Sequence, residues 1–546
     1  MAKTKLDNML RPTIDSSLTA SGLGHAQSSK AVLVSSSPMR YISTPAILVV
    51  LALLVFCIYL PGVGIQYYGD DFGWIDASTA PLRHFVQVNA DGWYRPLQAS
   101  IYTIIQKNFG LNTVPIHLLN FLLHALLCCL IFRSMTELGY TLTPALSAAI
   151  FMALSQASAF ALLSVDTFSQ VAATFFGCVS VWGLLKWNTM RRERTASVKK
   201  ITPYVVSIVA FALALLSKEA ASSFFPILVC ATVFRNYEAE NKFRFIKKVF
   251  AESIPFAAVF FVYLIVHSHI GANSPSSGSG VYNFHIGSNL PINFLLDIFA
   301  VTVPISTVTI FEAFEKGETV IVGLAAGASM LLLFAVTYGL WLRRSDLKIA
   351  AVVVCFIGAA FPMILLNHVS ELYVYNLMPF FSVLVGIGVS AILDAAKRSY
   401  LKHAIVACCV LMFVSHIAAI RDKTSLMRKN GERAAMLIQQ LGAYIDEVPP
   451  RGELLLLNPS TKQTEYAVYL MPGLKVLEFG ESFIKKTYAR EDITLRIIDE
   501  SDFKENIEQH KTTAMILGLT GDTLSLIAKP GVKVKNGGEQ HAVRNG

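Results

Sequence analysis

The sequence predicts an α-helical polytopic membrane protein of about eleven spans, followed by a small α/β domain outside the membrane. Of its 546 residues, 54% are hydrophobic and 15% are charged, whereas soluble proteins carry about 25% charged residues. The mean hydropathy is +0.52. Apolar residues cluster in runs of about 20, the length that crosses the hydrocarbon core of a bilayer. The last part of the chain lacks such runs, so we expect a polar domain there.

The polar segments before and between the apolar runs fix the expected organisation. Residues 1–43 are rich in serine, and we expect a disordered cytoplasmic tail. The first apolar run begins too far along the chain for an ordinary cleaved signal peptide, so it is predicted to be a permanent helix. All eight cysteines lie in apolar segments without metal-ligand spacing, and we expect them to be small core residues.

The predicted membrane domain covers 44–420 and contains a long first outer loop, 65–114. The predicted spans are 44–64, 115–134, 143–162, 167–187, 202–217, 221–235, 251–270, 319–342, 349–366, 374–394 and 403–420. Residues 293–314 are apolar but contain Asp297 and Pro304, so we expect a partly buried or interfacial segment there rather than a span.

The sidedness follows from the basic loops. The segment KWNTMRRERTASVKK, residues 186–200, is the strongest positive-inside signal in the chain and places that loop in the cytoplasm. Alternation then puts the amino end inside and the carboxyl end outside. The net charge of +9 is divided among such loops instead of forming one patch, which argues against nucleic acid as a partner.

Residues 421–546 are predicted to form the small extracytoplasmic α/β domain. A helical pattern comes first, and the strand-like runs ELLLLNP, YAVYLMPGLKVLEF, ITLRII and TAMILGL follow it.

Alternation places several ionisable residues at outer helix ends, where charges near the membrane usually face a polar cavity. They are Asp70 and Asp71, Asp166, Lys218 and Glu219, and, in the turn NHVSELYVY, His368, Glu371 and Tyr373. Adjacent acids after a membrane helix are more often a solvated loop, so the Asp70–Asp71 pair alone does not identify a site. Its position on one side with the other sets favours a shared cavity.

The order YYGDDFGWID, then WYRPL, then HLLNFLLH resembles the first outer loop of C-type (GT-C) glycosyltransferases. The branch it resembles holds the protein O-mannosyltransferases, their transmembrane TPR-containing relatives and the bacterial lipid A aminoarabinose transferases. The resemblance is strong over about residues 65–135 and weaker to about 395. It implies a GT-C-like fold and a catalytic role for the acids, with Asp70 as the base because the first acid is the usual base in that family.

Further residues are candidates for binding. The family has an SKE sequence where this chain has Ser217-Lys218-Glu219, which implies that Lys218 lies near the donor phosphate; a lysine that only extends to the membrane interface is the alternative. Arg95 is also expected to bind phosphate, because a guanidinium can pair with two oxygens at once, and an ion pair with Asp91 or with the Asp70–Asp71 pair is the alternative. Asp166, Glu219, His368, Glu371 and Tyr373 are expected to bind the sugar or the acceptor. A divalent ion, Mg or Mn, on Asp71 and Asp166 is an open option. For His117 and His124, on one face of the second span, we favour packing and hydrogen bonding over metal ligation.

Two departures from the family pattern concern the binding residues. Relatives often have an Arg-Ala-Asp-like turn between the third and fourth spans, where this chain has Ser164-Val165-Asp166. They also often have a Glu-Arg-Tyr turn before the tenth span, where Leu372 replaces the arginine. The first departure puts the role of Asp166 in doubt, and the second removes a phosphate ligand.

The chain lacks a P-loop or Rossmann glycine pattern in a strand–helix context, which disfavours a soluble nucleotide-sugar enzyme. The leading hypothesis is a glycosyltransferase of the bacterial inner membrane, with its active site facing the periplasm. It would move a sugar from a polyprenyl-phosphate donor to a hydroxyl of a glycan, lipid A or protein, with inversion. A transporter or flippase of lipid-linked glycans is the main alternative, although it favours paired half-repeats that this sequence does not display. A second alternative is a glycan polymerase or ligase of another fold, which would use long outer loops rich in arginine. A third is a non-enzymatic scaffold that presents the carboxyl-terminal domain.

Overall fold

The computed structural model describes residues 44–75, 80–89, 92–192, 201–236, 242–273, 283–367, 369–459, 469–500 and 514–529. The chain divides into the units Met1–Ala46 and Ile47–Gly546, and the contacts below belong to the second unit. The expected disordered tail, 1–43, lies outside the described residues.

Helices make up most of the described chain. They are α1 Thr44–Tyr59, α2 Pro96–Phe109, α3 Val114–Glu137, α4 Leu142–Leu154, α5 Ala159–Leu163, α6 Phe168–Arg192, α7 Thr202–Ser217, α8 Phe224–Asn236, α9 Lys242–His269, α10 Asn289–Thr302, α11 Thr307–Glu315, α12 Thr319–Leu342, α13 Leu347–Ile364, α14 Glu371–Val374, α15 Met378–Ala395, α16 Ser399–Ile445 and α17 Glu481–Thr487. Short 3₁₀ segments at Gly69–Trp74, Gln156–Ser158, Glu219–Ser223 and Gly473–Leu477 connect several of them.

The polytopic character expected from the sequence is confirmed, but the count of eleven spans is not. Eight described helices are long and apolar enough to cross a membrane, and nine if the bent pair Leu142–Leu154 and Gln156–Leu163 is one span. The predicted spans at 202–217 and 221–235 correspond to shorter apolar helices. The third predicted span consists of two helices that meet at a bend of 51°. Hydropathy predicted one straight helix there, because it does not report such a break.

The segment between the ninth and twelfth helices matches the expectation of a partly buried piece. Helix α10 ends at Thr302, and Val303 to Ser306 separates it from α11. Asp297 is buried on α10, and Asn293 donates to the carbonyl oxygens of Ile364 and Leu366 at 3.1 and 2.8 Å. These contacts hold α10 against the end of α13.

The core of the bundle is formed by helices that approach closely through small residues. In each of α3, α6 and α15, more than half of the most apolar 18-residue stretch is buried. A Cβ added at Gly386 of α15 would overlap the Pro144 carbonyl of α4, and one at Gly339 of α12 would overlap Gly388. In lipid, where apolar side chains gain little from meeting each other, such small residues permit tight packing of helix backbones.

Helix α16 continues far beyond the membrane segment and connects it to the polar domain. It runs unbroken for 47 residues, so the expected boundary at 420/421 falls within it. A Cβ at Gly431 would lie 2.9 Å from the carbonyl oxygen of Gln66. The second half of this helix therefore packs directly on the backbone of the first outer loop.

The polar domain contains one sheet with the strand order β2-β1-β3-β4, formed by Thr494–Asp499, Glu453–Asn458, Ala514–Thr520 and Thr523–Ala528. Strand β1 pairs parallel with β2 and β3, and β4 pairs antiparallel with β3. Leu454, Leu456 and Leu517 on one face join the hydrophobic cluster that includes Leu437 and Leu441 of α16.

Three of the predicted strands are confirmed, at 453–458, 494–499 and 514–520. The strand expected over YAVYLMPGLKVLEF is wrong in its described part, because Gly473–Leu477 is a 3₁₀ segment. Gly473 has a φ of +57°, and Asn458 Oδ1 accepts from the amide of Leu474 at 2.7 Å. Pro472 and this left-handed glycine break the apolar run before it can extend.

Candidate active site at the acid turn

The turn Gly69–Trp74, called the acid turn below, carries Asp70 and Asp71 close after α1. Asp70 is exposed, and Asp71 is only 1% exposed. On an extended backbone, adjacent side chains point to opposite sides, which is the arrangement two neighbouring acids would be expected to have. The structure instead forms a 3₁₀ helix here. Its three residues per turn separate adjacent side chains by about 120°. One acid can therefore be anchored while its neighbour faces solvent.

Asp71 is fixed by three hydrogen bonds. The backbone N–H of Asp166 donates to its Oδ1 at 2.8 Å, as does the hydroxyl of Ser164 at 3.2 Å. The backbone N–H of Tyr68 donates to its Oδ2 at 3.2 Å. Asp71 thus ties the acid turn to the turn that precedes α6.

Asp71 and Asp166 form a carboxylate pair that shares one hydroxyl, since Ser164 also lies 2.6 Å from Asp166 Oδ1. Burial, together with the charge of Asp166, raises the pKa of Asp71 well above its usual range, against the hydrogen bonds that lower it. Two carboxylates this close favour a shared proton or a bound cation. These are the residues that could contribute to a metal site, although the described residues contain no cluster of three or more His, Cys, Asp or Glu.

Helix α2 supports the Ser164–Asp166 turn from the other side. Gln98 Nε2 donates to the Asp166 carbonyl at 2.6 Å, and the Tyr102 hydroxyl contacts the Val165 carbonyl. Sequence reasoning missed both residues. Their spacing in the sequence could have identified them. Gln98 and Tyr102 follow Arg95 at intervals of three and four residues, which places all three on one face of a helix.

Arg95 is paired with Glu219 across the site. Its Nε donates to Oε2 at 3.1 Å and its Nη2 to Oε1 at 2.8 Å, a two-point contact between largely buried side chains. The guanidinium also lies 5.8 and 5.0 Å from the rings of Trp74 and Trp93. Arg95, which was expected to bind the donor phosphate, and Glu219, which was expected to bind the sugar or the acceptor, therefore form an ion pair with each other.

Lys218 is a buried cation at the end of α7. It is 4% exposed, and its Nζ lies 5.9 Å from the ring centre of Tyr373. In the described part of the chain, no carboxylate or carbonyl lies within hydrogen-bonding distance of this ammonium group. Burial and the charge of Arg95 lower the pKa of Lys218 to about 7, against Glu219 and Asp166, which raise it. An unpaired ammonium among these groups is suited to an anionic ligand.

Glu371 belongs to a separate buried cluster. Its Oε1 pairs with Lys423 of α16, and its Oε2 accepts from the Tyr469 hydroxyl at 2.9 Å. Lys423 also contacts Gln156. Sequence reasoning missed Lys423, because a single lysine just beyond a predicted span is typical of an interfacial residue.

The structure therefore brings Asp70, Asp71, Asp166, Arg95, Lys218, Glu219 and Tyr373 to one end of the bundle, and it places Glu371 in the adjacent cluster. His368 lies outside the described residues. His117 and His124 pack as expected, with His117 Nε2 at 3.0 Å from the Ile65 carbonyl and His124 Nδ1 at 2.8 Å from the Tyr375 hydroxyl.

No protein-family model matches this sequence, and no curated protein matches it. Among solved structures, it is similar to ArnT from Cupriavidus metallidurans in the apo state (11% identity, TM-score 0.48) and bound to undecaprenyl phosphate (10%, 0.45). Each alignment covers 86% of this chain and 92% of ArnT. It is also similar to the Archaeoglobus fulgidus oligosaccharyltransferase in complex with zinc and sulfate (11%, 0.48), over 82% of this chain and 62% of that one.

These structural neighbours are C-type glycosyltransferases, the superfamily that the sequence resembles. At identities of 10–11% and TM-scores of 0.45–0.48, the likeness carries no argument about activity. The function proposed below therefore rests on the residues of the site.

Proposed function

We propose that this protein is an inner-membrane glycosyltransferase that moves a sugar from a polyprenyl-phosphate donor to an extracytoplasmic hydroxyl. The observation that carries the proposal is Lys218, a buried ammonium that has no hydrogen-bond acceptor among the described residues and lies beside Asp166 and the Arg95–Glu219 pair. A donor phosphate would supply the anion that this group lacks. The buried acid pair and the exposed Asp70 would complete a site for acid–base chemistry.

The position of an apolar groove supports a lipid-linked donor. The groove lies between α6 and α7, has a volume of about 340 Å³ and is lined by Phe175, Phe176, Val179, Val205, Val206, Val209, Ala210 and Leu213. Helix α6 begins two residues after Asp166, and α7 ends at Ser217, next to Lys218. Leu213 is five residues before Lys218, a rise of about 7.5 Å along a helix. A prenyl chain in this groove would place its phosphate near Lys218.

In the proposed reaction, Asp70 accepts the proton of the acceptor hydroxyl, and the acceptor oxygen forms a bond to the anomeric carbon. The bond from that carbon to the phosphate oxygen breaks, which inverts the configuration and releases polyprenyl phosphate. The leaving phosphate gains negative charge, and Lys218 would stabilise it. Arg95, oriented by Glu219, would add positive potential, while Asp71 holds the acid turn in place.

A divalent ion such as Mg or Mn fits the Asp71–Asp166 pair chemically, because two carboxylates favour a hard cation. When bound, it would neutralise part of the charge on the leaving phosphate. Tyr373 and Asp166 remain the proposed contacts for the sugar or the acceptor. The acceptor class includes glycans, lipid A and protein hydroxyls, and the site is proposed to face the periplasm.

The test is incubation of the purified protein with a panel of radiolabelled polyprenyl-phosphate sugars together with glycan, lipid A and protein acceptors, with release of polyprenyl phosphate as the readout. We expect release with one member of the panel, and release at least about a hundredfold slower with Asp70→Asn. Absence of release across the panel, from protein that is folded and binds the donors, would reject the proposal. Transfer of intact donor across vesicle membranes without release would favour a flippase instead.

A further inference from the structure

The polar domain packs on both ends of the acid turn. Phe483 of α17 lies on Phe72, with ring centroids 5.0 Å apart. A Cβ at Gly69 would lie 2.7 Å from Met471 Cε, so Met471 rests directly on this glycine. Gly69 precedes Asp70 and Phe72 follows Asp71 in the sequence. Contacts at 471 and 483 therefore confine the two acids from both sides.

The segment that contains Met471 is anchored within the bundle through Tyr469. The Tyr469 hydroxyl donates to Glu371 Oε2 at 2.9 Å, and Asn430 Nδ2 donates to the Tyr469 carbonyl at 3.1 Å. Lys423 lies 5.3 Å from the centre of the Tyr469 ring. Tyr469 is thus held by its hydroxyl, its backbone and its ring.

Glu371 is itself held rigidly. Lys423 contacts its Oε1, and the side chains of this ion pair are 0% and 4% exposed. The Thr307 hydroxyl lies 3.3 Å from the same oxygen. Charges at this depth can persist only when they are paired, so the position of Glu371 is well determined. The position of Tyr469, and of Met471 two residues further on, follows from it.

We infer that Tyr469 is a positioning residue for the proposed transfer: through its hydrogen bond to Glu371, it holds Met471 against Gly69 and so sets the position of Asp70. The inference rests on the proposed function for its kinetic consequence. Its structural part, that Tyr469 restrains the acid turn, is independent of that function, because hydrogen exchange in the acid turn can be measured directly. It also assigns Glu371 and Lys423 a role in positioning, where the sequence led us to expect a ligand-binding role for Glu371.

The experiment compares Tyr469→Phe, which removes only the hydroxyl, with the full-length wild type in detergent. Hydrogen–deuterium exchange of peptides covering 66–75 should be faster in the variant, with unchanged exchange in α6 and α15. With donor turnover as the second readout, we expect kcat to fall about ten- to a hundredfold, since small displacements of a catalytic group cost rates of this order. The KM for the donor should stay within about twofold, since Lys218 is untouched.

Two further variants separate positioning from general damage. Met471→Ala removes the contact with Gly69 and leaves the ion pair intact, so it should reproduce both effects. Tyr444→Phe removes a hydroxyl that donates to the Leu524 carbonyl at 3.3 Å, within the polar domain, and it should change neither readout.

Unchanged exchange over 66–75 in folded Tyr469→Phe and Met471→Ala overturns the inference, whatever the activity. Faster exchange with kcat equal to wild type overturns the kinetic part. If the wild type transfers no sugar, the proposed function fails while the exchange data still decide the positioning role.

Discussion

The backbone N–H of Asp166 donates a 2.8 Å hydrogen bond to Oδ1 of Asp71, a residue 95 positions earlier in the chain. This bond joins the acid turn to the start of α6, one wall of the apolar groove. The hydroxyl of Ser164 is within hydrogen-bonding distance of both carboxylates. The acid turn is therefore tied to the proposed lipid groove through the carboxylate pair.

The first prediction separates the two acids of the turn. Asp70→Asn keeps the shape of the side chain but cannot take a proton, so turnover should fall by at least about a hundredfold while donor binding survives. Asp71→Asn should weaken donor binding and lower stability, because an amide group replaces an oxygen that accepts from buried donors. Single-turnover rates at saturating donor distinguish the two. Near-normal turnover in Asp70→Asn would remove the assignment of the base, and Glu318→Gln, at an exposed position, is the matched control.

The second prediction concerns pH. The pKa of Lys218 in the free protein is about 7, so its ammonium form dominates below that value and its neutral form above it. Because only the charged form attracts phosphate, donor affinity should fall as pH rises above 7, by up to about tenfold per pH unit. Lys218→Arg stays charged throughout and should abolish this dependence, whereas Lys218→Met should bind weakly at every pH. A wild-type affinity that is flat from pH 6 to pH 9, on titration with donor lipid, would contradict the proposed role.

The third prediction tests the Arg95–Glu219 pair by a double-mutant cycle. Arg95→Met or Glu219→Gln leaves a largely buried charge without its partner, which should cost about 3 kcal/mol of stability. The double variant should lose clearly less than the sum of the two. Thermal unfolding in detergent, compared across the four proteins, measures the coupling. Additive losses would show that the pair contributes no interaction energy.

The fourth prediction uses two glycines of positive φ. Gly69 has a φ of +56°, and Gly110 has a φ of +63° with a ψ of −138°, so alanine strains the backbone at either position. A Cβ at Gly69 also meets Met471, whereas one at Gly110 meets nothing within 4 Å. We expect Gly69→Ala to lower turnover strongly and Gly110→Ala to leave it near normal. Equal effects on turnover would mean that the contact with Met471 does not control the acid turn.

The fifth prediction concerns topology. A reporter that is active only outside the cytoplasm should be active when fused after residue 430 and silent when fused after residue 195. The reason is the excess of lysine and arginine in 186–200, which favours the cytoplasmic side. The opposite pattern would place the acid turn inside and would exclude a periplasmic lipid-linked donor.

The amino-acid sequence was enough to predict the membrane class, the approximate position of most helices and three of the four described strands. These features depend on hydropathy and periodicity, which are local in the chain. The sequence also identified most of the charged residues around the acid turn, because ionisable side chains beside apolar spans are rare and costly. Whether each predicted span is long enough or straight depended on contacts, as the bend between α4 and α5 shows.

The pairing of these charges became visible only once the helices were placed in three dimensions. Glu371 and Lys423 are 52 residues apart, and Tyr469 is 98 residues beyond Glu371. No local pattern distinguishes Glu371, held in a buried ion pair, from Lys218, for which the described residues supply no carboxylate within hydrogen-bonding distance. The energy that selects these partners is the cost of leaving a charge unpaired away from water, and it acts only once the helices have packed.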